Sequence, residues 1–166
     1  MTAVHYEGAL QDVWPEATCY GCGPANEQGL RIKSYWDPDG VHVICRFRPG
    51  PQHNAGFPNV TYGGLVASLI DCHSIWTAIA TAYQAEGRPH GSAPAISYVT
   101  GSLLVRYLAP TPLDQEVVLR AHVTESRGRK STVICSLQAG DQVTAEGIVV
   151  AVRIADDKSR GADHHA

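Results

Sequence analysis

The chain of 166 residues is long enough for one domain, and nothing in its composition requires a second. Its net charge is −3 with only 13 Lys and Arg residues, so an extended nucleic-acid surface or a polybasic membrane patch is not expected. The first residues lack the basic segment and apolar run of a secretory signal, and the longest apolar stretch is interrupted by Asp71 and His73. We therefore expect a soluble cytoplasmic protein without nucleic-acid or membrane partners.

The five cysteines, at positions 19, 22, 45, 72 and 135, do not form the even, regularly spaced set of a disulfide framework. Cys19 and Cys22 have the spacing of a zinc-binding pair, but the sequence contains no second pair of this kind. The other three cysteines and eight histidines could supply further ligands only through the fold. The sequence therefore predicts a tight turn with two small apolar side chains, no resident metal and no cofactor.

The first regular element in chain order is a predicted β-hairpin. Residues 29–36 alternate apolar and polar side chains, which is typical of a half-buried strand. The Asp-Pro-Asp-Gly sequence at 37–40 indicates a turn, and the alternation resumes over 41–48. Three prolines and two glycines over residues 49–60 then predict a loop.

A long helix and a run of strands follow that loop. Residues 65–86 contain no proline or glycine, and Gly87 before Arg88-Pro89 is a stop signal. Runs rich in Val, Ile, Thr and Tyr come next, at residues 95–108, 115–126, 130–139 and 142–154. Short connections make neighbouring strands antiparallel, so we predict an α+β domain in which one long helix is wrapped by about five to six strands. We place this domain at residues 19–154, after an N-terminal segment 1–18 and before a polar tail, 155–166, that we expect to be disordered.

The start of the predicted helix combines two glycines with a carboxylate. Gly63 and Gly64 open the helix, and Asp71 lies inside an otherwise apolar stretch. A buried carboxylate requires partners, so Asp71 faces either a ligand pocket or a structural mate such as His or Arg. The first amide groups of a helix have no acceptor within it, so those at the glycines can stabilise a developing negative charge, as in an oxyanion hole.

The spacing of Gly63 and Asp71 points to a site shared by two subunits. Eight residues at about 1.5 Å per residue place them roughly 12 Å apart along one helix. A nucleophile and an oxyanion donor must both lie about 3 Å from the same carbonyl group, so one helix cannot supply both. Two antiparallel helices related by a two-fold axis can, which predicts a dimer with two composite sites.

Four segments in order resemble the hotdog-fold proteins, and in particular the PaaI-like acyl-CoA thioesterase branch. They are Cys19–Pro24 with Asn26 and Gly29-Leu30, the loop and glycine pair ending in Asp71, Thr100–Pro112, and Arg127–Lys130. The resemblance covers about residues 19–154. It implies that a homodimer or homotetramer hydrolyses an acyl-CoA thioester without a metal or other cofactor.

The resemblance also implies roles for individual residues. Asp71 matches a helix carboxylate that serves as nucleophile or general base, and Gly63 matches the glycine whose amide polarises the thioester carbonyl. Thr100 matches a strand Ser or Thr that positions the attacking water. We call Arg127, Gly128, Arg129 and Lys130 the basic turn. It matches a family turn that often lies near the CoA end of the ligand.

The chain departs from the family pattern just before the helix. The family usually has His directly before the glycine pair, where this chain has Tyr62, and an upstream Asn, where it has Gly56. Neighbouring residues that could compensate after a small loop shift complete the predicted substrate-binding set, namely His53, Asn54, Asn59, Tyr62 and Gly64.

Two other functions fit the same residues. A non-catalytic acyl-CoA or lipid-binding hotdog module would bind its ligand in the pocket without hydrolysis. Its regulatory form would need a DNA-binding segment, for which residues 1–18 are too few.

A hotdog hydratase or dehydratase needs a His beside a carboxylate, and His53 and His73 are the candidates. His73 lies about 200° around the helix from Asp71, so we expect it in the core or an interface. The sequence leaves the acyl group open.

Overall fold

The computed structural model describes residues 6–155, which contain one long helix and six strands. Helix α1 spans Gly63–Ala85, and the strands are β1 (Ser34–Trp36), β2 (Val43–Phe47), β3 (Ser97–Tyr107), β4 (Val117–Arg127), β5 (Lys130–Ala139) and β6 (Gln142–Ile154). Short 3-10 helices occupy Leu10–Val13 and Pro51–His53. The helix and the four strands after it lie within two residues of their predicted bounds.

The strands form a single antiparallel sheet in the order β1-β2-β4-β5-β6-β3, and α1 packs across it. Gly147 of β6 lies beneath the helix, where a Cβ atom would come within 2.3 Å of Ile70 Cγ2, so the missing side chain allows close approach. Length and composition alone would let α1 cross a membrane, but 61% of its apolar window is buried inside the domain. The predicted hotdog architecture, one core helix wrapped by an antiparallel sheet, is confirmed.

Strand β1 is shorter than the alternation over 29–36 predicts. The amide groups of Leu30 and Ile32 donate to the carbonyl oxygens of Tyr20 and Gly21, at 2.7 and 3.1 Å, instead of to a neighbouring strand. Arg31 between them has a left-handed φ of 52°. The segment therefore braces the Cys19–Cys22 turn before it enters the sheet at Ser34.

Part of the predicted N-terminal segment is built into the core. Leu10 is fully buried in a cluster with residues of α1. Gln11 Nε2 donates to Ser34 Oγ at 3.0 Å, and Gln11 Oε1 accepts from the Ser34 amide at 2.9 Å. Residues 156–166, on which almost all of the predicted disordered tail falls, lie outside the described residues.

Candidate active site

Asp71 and Thr100 meet where α1 passes the edge strand β3. Thr100 Oγ1 donates a 2.6 Å hydrogen bond to Asp71 Oδ1. Thr100 pairs with Ala151 of β6, which is fully buried, so the Thr100 side chain lies on the helix-facing side of the sheet. The fold thus brings two of the predicted catalytic residues into direct contact.

A β-bulge in β3 determines which of its side chains face the helix. The register with β6 shifts between Thr100 and Ser102. Thr100 lies opposite Ala151, and Tyr107 lies opposite Ala145, and both alanines are fully buried. In a regular strand, residues an odd number of positions apart point to opposite faces. The extra residue at the bulge therefore lets one strand present both Thr100 and Tyr107 to α1.

Tyr107 contacts the N-terminal end of α1. Its hydroxyl donates a 2.7 Å hydrogen bond to the carbonyl oxygen of Gly63, the first residue of the helix. A Cβ atom on Gly63 would lie 3.4 Å from the Tyr107 ring. No sequence pattern predicts a role for Tyr107, because the face to which its side chain points depends on the bulge. Gly101 was the available signal, since an isolated glycine in a strand pattern indicates a bulge.

The Asp71 carboxyl group is half-buried. Burial raises its pKa above the ordinary value, because a low-dielectric environment disfavours the charged form. The Thr100 hydrogen bond lowers the pKa, and the nearby Cys19 sulfur, when ionised to a thiolate, adds to the rise through charge repulsion. A half-buried carboxyl group with a raised pKa is a frequent property of general bases and nucleophiles.

Tyr62 covers the glycine pair from the solvent side. Its side chain is 59% exposed, and a Cβ atom on Gly64 would come within 2.3 Å of the Tyr62 ring. The Tyr62 amide donates to the His53 carbonyl oxygen at 2.7 Å. Tyr62 and Gly64 therefore lie at the helix N-terminus, as the sequence predicts. The Tyr62 side chain lacks the imidazole nitrogens of the His that the family usually has at this position.

The other loop candidates are engaged in holding the loop together. His53 Nδ1 accepts a 2.9 Å hydrogen bond from the Gly50 amide. Asn54 Oδ1 accepts from an amide two residues later at 3.0 Å, and Asn59 Oδ1 accepts from the amides of residues 113 and 114 at 3.0 and 3.1 Å. These contacts give all three side chains a structural role in the approach to the helix.

The basic turn closes the hairpin between β4 and β5. Arg127 pairs with Lys130 across the turn, and Gly128 has a φ of 57°, which suits a tight hairpin turn. Arg127 Nε forms a 2.6 Å ion pair with Glu125 at the surface. Arg127, Arg129 and Lys130 are all exposed, so their charges face solvent.

Three cysteines lie together beside the candidate site, and we call Cys19, Cys22 and Cys72 the cysteine cluster. Their sulfur atoms all lie within 4.8 Å of one another, and Cys19 Sγ is 3.7 Å from Cys72 Sγ. Hydrogen bonds with Cys22 and Cys72 lower the pKa of Cys19, and the same contacts raise those of its two partners. The spacing of Cys19 and Cys22 is visible in the sequence, but only the fold adds Cys72, the residue after Asp71.

The fold and the site define a class of protein, a hotdog domain with a carboxyl group on its core helix and a glycine pair at the helix N-terminus. Residues 58–146, more than half of the chain, match the thioesterase superfamily. The chain belongs to that family.

Individual relatives agree with this assignment. The chain is 30% identical over 159 residues to acyl-coenzyme A thioesterase THEM4 of Xenopus laevis, covering 82% of this chain and 65% of that protein. A crystal structure of a thioesterase superfamily protein from Shewanella loihica PV-4 shares 38% identity with a TM-score of 0.62, covering 87% of this chain and 99% of that one. The E. coli PaaI protein has the same fold, with a TM-score of 0.61 and 14% identity, over 76% of this chain and 81% of that one.

The chain spans between 44% and 65% of the length of the first curated relatives it matches. The resemblance to hotdog thioesterases expected from the sequence is confirmed at the level of family and fold.

Proposed function

We propose that the protein is an acyl-CoA thioesterase, which hydrolyses an acyl-CoA to the free acid and CoA. The observation that carries the proposal is the 2.6 Å hydrogen bond from Thr100 to the half-buried carboxyl group of Asp71, on the core helix of a thioesterase-superfamily domain. The name of the frog relative, an acyl-coenzyme A thioesterase, supports the substrate class.

The proposed chemistry uses three groups. Asp71 removes a proton from water, or attacks the thioester carbonyl carbon itself to form an anhydride that water then cleaves. The amide of Gly63 stabilises the oxyanion, and the CoA sulfur leaves as a thiolate that then takes up a proton. Thr100 donates to Oδ1 of Asp71, which orients the carboxylate and leaves Oδ2 for the reaction.

We propose that the working assembly is a homodimer or homotetramer. Gly63 and Asp71 lie roughly 12 Å apart on one helix, so a single chain cannot bring both to one carbonyl group. The edge strand β3 supports pairing between subunits, because it is 11 residues long and exposes apolar side chains, including Leu104 at 56%. A long exposed apolar edge strand is a site for pairing with another strand.

The basic turn lies within reach of a ligand bound at Thr100. Thr100 pairs with Ala151, and Ala151 pairs with Ser131, the neighbour of Lys130. Two strand spacings of about 4.8 Å each therefore separate Thr100 from the turn, roughly 10 Å in all. This distance supports a role for the turn in binding the phosphates of CoA, which favour Arg and Lys partners.

A thiol-release assay over a panel of short, medium, long and aromatic acyl-CoA substrates tests the function. We expect turnover of at least one class, with the released CoA thiol detected by a chromogenic disulfide. Saturable acyl-CoA binding by the folded protein without release on any member of the panel would favour the non-catalytic module.

A mixing experiment tests the composite site. Asp71→Asn removes the carboxylate, and Gly63→Pro removes the amide donor at the first helical position, where proline is well tolerated. Tyr62 already has φ −57° and ψ 127°, a conformation compatible with a following proline.

Each variant alone should be nearly inactive, while a mixed dimer regains one intact site. Random exchange of equal amounts should therefore restore roughly a quarter of wild-type activity. No recovery after verified subunit exchange would contradict the shared site.

A further inference from the structure

The cysteine cluster joins two parts of the chain that are distant in sequence. Cys19 and Cys22 belong to a turn before the sheet, whereas Cys72 belongs to the middle of α1. The turn approaches the helix closely, because a Cβ atom on Gly21 would lie 2.3 Å from Cys72 Sγ. The glycine thus permits a contact that any other residue would obstruct, and three thiols meet there.

The sulfur positions match those around a single metal ion. Zinc binds thiolates at about 2.3 Å in a tetrahedral arrangement, which places pairs of sulfur atoms about 3.8 Å apart. Cys19 Sγ and Cys72 Sγ are 3.7 Å apart, and all three sulfur atoms lie within 4.8 Å of one another. A disulfide bond would require two of the sulfur atoms to lie about 2.05 Å apart, and it would leave the third thiol unpaired.

The surroundings of the sulfur atoms resemble the outer shell of a zinc site. The amides of Gly21 and Cys22 interact with the Cys19 sulfur, and the indole of Trp76 interacts with that of Cys22. Donors of this kind orient thiolate ligands in metal sites. Cys19 is exposed while Cys22 and Cys72 are partly buried, so the cluster opens to solvent on one side.

We propose that the cysteine cluster is a zinc site, in which the three cysteines hold one Zn²⁺ tetrahedrally and a water molecule completes the fourth position on the exposed side. Binding releases the thiol protons to solvent. The ion clamps the N-terminal turn to α1 at the residue next to Asp71, and its proposed role is structural. The proposal departs from the sequence-based expectation of no metal, because the third ligand is recruited by the fold.

Cobalt titration of the full-length, reduced protein under anaerobic conditions tests the site. We expect one equivalent of Co²⁺ to produce tetrahedral visible bands and a near-ultraviolet thiolate-to-cobalt charge-transfer band, both abolished by one equivalent of Zn²⁺. Zinc should also raise the melting temperature, since it binds the folded state. These readouts are independent of thioesterase activity, so the result stands whether or not the proposed hydrolysis is found.

Variants assign the ligands. Cys19→Ser and Cys72→Ser should weaken zinc binding by at least about 100-fold, since loss of even an outer-shell partner typically costs about 10- to 100-fold. Cys135→Ala, at a buried cysteine outside the cluster, should leave binding unchanged. A variant with both tail histidines replaced, His164→Ala and His165→Ala, should bind as the wild type does.

The opposite results would overturn the proposal. They are a charge-transfer band that survives both serine variants, binding that is lost with the tail histidines, or no band at all. Formation of a Cys19–Cys72 disulfide under mild oxidant in a protein that binds no cobalt would instead identify the cluster as a redox pair.

Discussion

Asp71 and His73 are polar residues two positions apart on one helix, and their surroundings differ completely. His73 is fully buried, its Nε2 donates to the Val43 carbonyl oxygen at 3.0 Å, and its Nδ1 accepts from Ser34 Oγ at 2.9 Å. Asp71 is half-buried, and within residues 6–155 Thr100 is the one side chain that donates a hydrogen bond to its carboxylate. His73 is therefore enclosed in the core, whereas the Asp71 carboxylate can accept further hydrogen bonds.

The difference separates a structural from a functional polar group. Burial lowers the pKa of His73 to about 4, so the ring is neutral, and both of its nitrogens are used within the core. A closed network of this kind contributes to folding and offers nothing to a ligand. A carboxylate at the edge of the core, with a free oxygen and a raised pKa, is available for chemistry. This contrast also disfavours a hydratase that would pair His73 with Asp71.

The largest expected effect comes from Asp71→Asn. The amide is nearly isosteric but cannot act as base or nucleophile, so kcat should fall by ~10²- to 10⁴-fold. Thermal unfolding should be almost unchanged, because the carboxyl group is not part of a closed core network. Steady-state kinetics and calorimetry measure the two quantities. Wild-type turnover by the folded variant would remove Asp71 from the mechanism.

Thr100→Val should have the next largest effect. It removes the hydroxyl that donates to Asp71 while keeping the β-branched shape suited to β3. A hydrogen bond to a charged group contributes about 1.5–3 kcal/mol, so kcat/KM should fall by roughly 10- to 100-fold. Thr100→Ser should restore most of the activity. Equal activity of the valine and serine variants would show that the hydroxyl has no catalytic role.

His73→Leu should show the reverse pattern. The apolar side chain has a similar volume but leaves the Val43 carbonyl oxygen without its partner. The free energy of unfolding should fall by about 1–3 kcal/mol, while kcat/KM of the folded protein at low temperature stays near the wild-type value. Denaturant titration gives the first quantity. A loss of activity without a loss of stability would place His73 in the chemistry after all.

The smallest expected effect concerns the basic turn. Changing Arg127, Arg129 and Lys130 to Gln should raise KM for acyl-CoA severalfold, reduce its salt dependence and leave kcat nearly unchanged. Thioesters truncated at the pantetheine lack the nucleotide, so the same variant should treat them as the wild type does. Arg46→Gln, at an exposed arginine on β2 paired with Glu116, is the matched control. Equal losses on full-length and truncated substrates would mean that the turn acts through folding.

Much of the fold could be predicted because its signals are local. Runs rich in Val, Ile, Thr and Tyr identified β5 and β6 at their observed bounds, and the absence of glycine and proline identified the body of α1. The prediction failed over residues 29–33, where alternating side chains belong to an extended segment whose amides bond to the Cys19–Cys22 turn. Alternation reports which face of a chain is buried, but not whether a second strand accepts its hydrogen bonds.

The residues of the candidate site also fall into two groups, those that the sequence identifies and those that depend on the fold. Gly63 and Asp71 could be singled out from the sequence, because a glycine pair at a helix start and a carboxylate in an apolar helix are unusual wherever the chain folds. Thr100 could be identified only through the family resemblance, which predicted a role for it. Its contact with Asp71 is shown by the fold. Tyr107 was missed, because a single bulge residue decides which way its side chain points.

The sequence by itself determined the element order, the long apolar helix and the carboxylate within it, since these follow from residue types and their spacing. Only the tertiary structure decided that Thr100 bonds to Asp71, that Tyr107 holds the helix start, and that Cys72 joins Cys19 and Cys22. The first two contacts join residues 29 and 44 positions apart in the sequence, and Cys19 and Cys72 are 53 positions apart. Such contacts depend on sheet register and helix position, which are set by packing of the whole core and not by any local pattern.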